Sequence, residues 1–119
     1  MKISKIASLL KAEISAGEDK LDTDVYSACG SDMMSDVLAF VKEQAVLLTG
    51  LVNNQVIRTC HMMDIRCVIF VRGKTPSEDI INLAAENGMV IMSTKMRMYS
   101  ACGILYKNGL RGGDDREYE

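Results

Sequence analysis

The sequence has no basic run, no long apolar run, no C-x-x-C pair and no tryptophan, and it carries a single histidine. Each lack closes a class of function. Fourteen Lys and Arg against 16 Asp and Glu give a net charge of -2 and a pI near 5.4. Nothing there concentrates positive potential for a phosphate backbone, so nucleic acid is not an expected partner. The longest apolar runs are about five residues, against the roughly 20 that span a bilayer. Met1-Lys2-Ile3-Ser4 opens no signal-peptide core, so no membrane contact and a cytoplasmic location are expected. The spacing of Cys29, Cys60, Cys67 and Cys102 fits neither a zinc ribbon nor a thioredoxin-like pair. His61 has no H-x-x-x-H or H-E-x-x-H around it and no acid or nucleophile at a local spacing, so neither a triad nor a metal hydrolase is legible. Gly73-Lys74-Thr75 ends like a P-loop, but Val68 stands where the first glycine is needed. No catalytic residue, metal site or cofactor is indicated, and the expectation is a protein that is not an enzyme.

What is present describes one globular domain. A chain of 119 residues, 48% hydrophobic and 25% charged, buries roughly two thirds of its unfolded surface and needs no metal or disulfide to hold a core. Ile3, Ile6, Ala7 and Leu10 line one face of a helix that ends by Ala12. Residues 13–16 permit an edge strand, 17–20 a turn, and 23–29 a second strand. Ser31 offers an N-cap and Asp32 a dipole partner for a helix carrying Met33, Met34, Val37, Leu38 and Val41. Three continuous apolar runs, 45–48, 67–71 and 89–92, suit strands covered on both faces. Each precedes a helical segment, at 54–63, 76–87 and about 95–108, so parallel pairing with crossovers is expected. Thr75-Pro76-Ser77-Glu78 reads as an N-cap threonine, a first-turn proline and a capping-box glutamate, and Asn87-Gly88 and Asn108-Gly109 as helix stops. The expected fold is a three-layer α/β/α domain over residues 1–110, with a small, mostly parallel sheet of about four or five strands. Residues 111–119 are expected to form a flexible tail.

Ligands of open α/β sheets bind outside the carboxyl ends of the strands. The loops placed there carry Thr49, Gly50, Asn53 and Asn54, then Arg72 and Lys74, then Ser93 and Thr94. Hydroxyls, cations and helix N-termini of this kind suit a small anion, a phosphate or a nucleotide; ordinary helix capping accounts for the same residue types. Cys29, Gly30 and Ser31 form a further candidate segment, since a thiol directly before a helix N-terminus can have its pKa lowered. Nine methionines include the pairs Met33-Met34 and Met62-Met63. Neighbours on a helix cannot share one core stripe, so one of each pair is expected at the surface, favouring a homodimer.

The pentapeptide Tyr-Ser-Ala-Cys-Gly occurs twice, at 26–30 and 99–103, once in an expected strand and once in an expected helix. The stretch Gly17-Glu18-Asp19-Lys20-Leu21-Asp22, continued by Ser31-Asp32-Met33-Met34-Ser35-Asp36-Val37-Leu38, resembles the DRTGG domain family, itself similar to the N-terminal domain of HPr kinase/phosphorylase. The resemblance runs from Met1 to Gly112. The eponymous Asp-Arg and Thr-Gly-Gly correspond to Asp22-Thr23 and Tyr26-Ser27-Ala28, so only Asp22 is kept. The resemblance implies a three-layer α/β module without established catalysis, of the kind found beside nucleotide-sensing CBS domains in a class of inorganic pyrophosphatases and in phosphotransacetylases, where it is regulatory or dimer-forming. Stand-alone copies resembling this one tend to be encoded near iron-only hydrogenase components. Two readings follow: a non-catalytic regulatory or binding module for a small anionic ligand or a partner protein, and a thiol-dependent redox-accessory protein using Cys29 toward a redox or hydrogenase-related partner.

Overall fold

A computed structural model describes residues 1–41 and 44–114. The chain runs α1 (Ile3–Leu10), β1 (Glu13–Ala16), a single 3-10 turn (Glu18–Lys20), β2 (Ser27–Gly30), α2 (Met34–Phe40), β3 (Ala45–Thr49), α3 (Asn54–Met62), β4 (Cys67–Phe70), α4 (Glu78–Glu86), β5 (Val90–Ser93) and α5 (Met98–Lys107). The five strands form one sheet in the order β1-β5-β4-β3-β2. β2 to β5 are parallel, and β1 closes one edge antiparallel to β5. The three-layer architecture expected from the alternation of apolar runs and helical segments is therefore present.

Every residue of β3 and β4 is buried, because alternate side chains feed two separate cores. Val46, Leu48, Ile69 and Met92 pack under α1 and α5. Leu47, Val68, Phe70 and Ile91 pack under α2, α3 and α4. The chain thus steps from β2 to β5 one strand at a time, with each crossover helix on the same face, and then sends α5 to the opposite one.

Several boundaries move, each for a local reason. The cap of α4 is Ser77, whose hydroxyl accepts from the Ile80 N–H at 3.4 Å, and not Thr75; Pro76 is buried ahead of the helix. Ser31 does not cap α2. It accepts from the Met33 N–H at 3.0 Å in a local turn, and the helix starts three residues later behind Met33. The start of α5 falls at Met98 rather than near Lys95, since the preceding groups are spent on tertiary bonds: Thr94 Oγ1 accepts from the Met96 N–H, and the Met96 carbonyl accepts from the Arg72 N–H at 2.7 Å. The expected flexible tail is tied down at its beginning, where the Arg111 carbonyl accepts from the Ala28 N–H at 2.9 Å and its guanidinium lies 3.7 Å over the Tyr106 ring. Residues 115–119 of that expected tail lie outside the described residues. Met33 and Met62 are exposed while Met34 is buried, as the paired spacing requires. Among the described residues no helix is long and apolar enough to cross a membrane.

Candidate functional site

The carboxyl ends of β3, β4 and β5 meet the loops that lead into α3, α4 and α5. Between β4 and α4 the chain turns through two successive left-handed residues, Arg72 (φ 63) and Gly73 (φ 71). Their N–H groups are pinned to the neighbouring loop, Arg72 to the Met96 carbonyl and Gly73 to the Thr94 carbonyl at 2.9 Å. The backbone of the turn is therefore fixed between the loops that follow β3 and β5.

On the Gly73 side lies a cavity of about 390 Å³, lined among others by Lys11, Glu13, Thr75, Ser93 and Lys95. Thr94 also lines it, but its hydroxyl is committed, donating to the Leu10 carbonyl at 2.7 Å and fastening the end of α1 to β5. Ser93 differs. Its Oγ is buried and has no hydrogen-bond partner among the described residues, a condition that costs free energy until a ligand or water supplies one.

On the Arg72 side, Thr49, Gly50 and Arg72 come together around a residue the sequence had assigned to a helix turn. Asp32 Oδ1 accepts from the Gly50 N–H at 2.6 Å and from the Thr49 hydroxyl at 3.2 Å. Its Oδ2 lies 3.9 Å from Arg72 Nη2. The Gly50 Cα sits directly under the guanidinium, and a Cβ there would collide with Arg72 Nη2.

The other expected site residues are dispersed. Asn53 is the N-cap of α3, accepting from the Val56 N–H at 3.0 Å, so capping accounts for it. Asn54 leaves its side-chain oxygen buried and unpartnered among the described residues. Lys74 is exposed. Gly30 abuts α5, where a Cβ would come 2.8 Å from the Cys102 sulfur. Cys29 lies five residues before α2 rather than at its N-terminus, and packs against the core of the opposite face. The lowered pKa expected there is corrected: burial pushes the Cys29 thiol up, and Cys102 and Asp36 push it the same way. Burial raises Cys102 too. Lys11, Glu13 and Asp32 were missed as site residues. Lys11 ends α1 and Glu13 opens β1, whose antiparallel direction brings its start to the carboxyl ends of its neighbours.

The DRTGG domain model matches residues 5–107. The chain belongs to the DRTGG domain family. A solved structure of the CBS and DRTGG domains of the regulatory region of Clostridium perfringens pyrophosphatase, complexed with its activator diadenosine tetraphosphate, is similar with a TM-score of 0.70 at 19% identity. The match covers 87% of this chain and 45% of that one, so this chain spans less than half of that structure. At this identity the likeness is one of fold. Comparison with the curated proteins gives no significant match.

In this DRTGG domain residues 21–23 lie at the end of the sheet away from the cavity. Their carbonyls finish the N-terminus of α1, which has no side-chain cap. The Ile3 N–H donates to the Thr23 carbonyl at 3.0 Å, the Ser4 N–H to the Leu21 carbonyl at 2.9 Å, and Lys2 Nζ to the Asp22 carbonyl at 3.1 Å. The first two bonds satisfy backbone donors that a helix otherwise leaves open. Asp22 is almost fully exposed at its side chain.

Proposed function

We propose that this DRTGG domain is a non-catalytic regulatory module that binds a phosphate-bearing small molecule, of the nucleotide class, in the cavity between the ends of β4 and β5. The observation that carries the reading is where this cavity falls. The loop after β4 goes to a helix on one face and the loop after β5 to a helix on the other, and the crevice where adjacent loops part is where open α/β sheets receive ligands. Its volume suits a small ligand. Lys11 and Lys95 supply charge for phosphate oxygens, the Ser93 hydroxyl supplies an unspent donor, and Glu13 can accept from a sugar hydroxyl. The similar pyrophosphatase region, crystallised with a nucleotide activator, supports the ligand class and the regulatory role.

Titration calorimetry with ATP and diadenosine tetraphosphate tests this. Binding in the micromolar range, weakened at least tenfold by Lys11→Ala combined with Lys95→Ala, is expected. Absence of binding to the wild type at millimolar nucleotide, or unchanged affinity in the double variant, refutes it.

The same proposal includes a homodimer through α5. Tyr99 and Tyr106 are 91% and 51% exposed, one above the other on the outer face of the helix, with Cys102 and Gly103 between them in a shallow concavity and the Arg111 guanidinium over the Tyr106 ring.

A further inference from the structure

Asp32 occupies a place that is chemically an anion's. One backbone N–H, one hydroxyl and one guanidinium converge on its two carboxylate oxygens, the donor set with which proteins hold phosphoryl and carboxylate groups. Two of the donors are framework: Thr49 is wholly buried at the end of β3, and the Gly50 N–H follows it directly in the chain. Arg72 has its backbone pinned in the left-handed turn, while its side chain is 45% exposed. Gly50 has no side chain, which is what lets the guanidinium lie over its Cα. The weak contact is the one between Asp32 and Arg72. Asp32 sits in the short loop between β2 and α2, its side chain is 47% exposed, and its approach to Arg72 is long, an ion pair of small net worth.

We propose that Thr49, Gly50 and Arg72 form an oxyanion subsite in which the Asp32 carboxylate stands in for a phosphoryl group of the ligand. Binding then requires Asp32 to withdraw, and its charge sets the affinity. The proposal rests on the nucleotide reading above and extends it. The Arg72-Gly73 turn has the cavity on one side and this subsite on the other, so a nucleoside polyphosphate, with more than one phosphoryl group, matches the pair of sites better than a monophosphate does.

Asp32→Asn is the informative change, because Asn Oδ1 can still accept from Gly50 and Thr49 while the negative charge is gone. Calorimetry with ATP, AMP and inorganic tripolyphosphate is expected to show ATP and tripolyphosphate binding about tenfold tighter in Asp32→Asn, on the scale of one like-charge contact removed near a protein surface, with little change for AMP. Arg72→Ala is expected to weaken ATP several-fold in the wild type and to abolish the gain in the double variant. If the wild type binds ATP but Asp32→Asn leaves its affinity unchanged or lower, the subsite is wrong and the cavity reading survives. If neither binds ATP or tripolyphosphate at millimolar concentration, both readings fail. Should Asp32→Asn not fold, as judged by thermal unfolding, Arg72→Ala decides: unchanged ATP affinity overturns the subsite.

Discussion

Cys67 opens β4 with its side chain fully enclosed, and that enclosure pushes the thiol up to about 12, with Cys60 adding to it. Cys60 is also pushed up to about 12, by burial first and by Cys29 second. A thiol released by unfolding ionises near 8.5. Between those two values the native state therefore holds protons that the unfolded state gives up. The stability contributed by the neutral thiols is complete below about pH 8.5 and is lost as the pH rises toward 12. Each thiol can add a slope of up to about 1.4 kcal/mol per pH unit in that window. Urea unfolding at pH 7.5, 9 and 10 should show the loss, and Cys67→Ala should make it shallower; an unchanged slope in that variant would show that the Cys67 thiol does not contribute. The same burial argument governs Cys29. Iodoacetamide should label it at pH 7.5 no faster than an ordinary free thiol, and rapid labelling would favour the redox reading that a raised pKa weighs against.

Element boundaries in this fold are set by what each loop touches. Gly17 adopts φ 86, and a Cβ there would come 2.8 Å from the Val90 Cα and 2.9 Å from the Met89 carbonyl oxygen. Those are backbone atoms of the neighbouring strand, which cannot swing aside. Gly17→Ala should therefore cost roughly 2–3 kcal/mol, combining the left-handed strain with displacement of β1 from β5, read as a lower urea midpoint. Gly50→Ala makes the contrast, since its Cβ meets only the far end of the Arg72 side chain; it should leave stability nearly unchanged. The buried strands were legible because continuous apolar runs of four or five residues have few other homes, and the stop of α4 because Gly88 does take a positive φ of 67. Thr75 reads as the cap of α4 because a proline follows it, but Pro76 stays outside the helix and Ser77 takes the cap. Asp32 was legible as an acidic residue before a helix but not as the partner of Gly50, 18 positions away, because that contact exists only once β2 and β3 are paired in parallel. Lys11 and Glu13 were hidden for a similar reason: the direction of an edge strand decides which end of the sheet they reach.

At the scale of the whole molecule, α5 is the element that joins the proposed ligand site to the proposed dimer face. Its leading loop supplies Lys95 and Met96 to the cavity, while its outer face carries Tyr99 and Tyr106. Tyr99→Glu places a charge on that face without touching either core. Because Tyr99 is 91% exposed, the monomer should keep its stability within about 0.5 kcal/mol. Sedimentation velocity on the wild type should give about twice the chain mass of 13.1 kDa, and on Tyr99→Glu the chain mass alone; a wild type that stays monomeric at 100 μM, on the order of the concentrations used in such runs, removes α5 as an interface. The shared helix makes a sharper demand. If nucleotide and partner chain bias one arrangement of α5, linkage requires that ATP change the dimer dissociation constant by the same factor by which dimerisation changes ATP affinity. Measuring dimer dissociation with and without saturating ATP, and ATP affinity in the wild type and Tyr99→Glu, gives that factor twice. Equal factors different from one describe a regulatory module whose output is its own association. A factor of one in both measurements leaves a ligand site and an interface that ignore each other, and the regulatory part of the proposal then fails even if both sites are real.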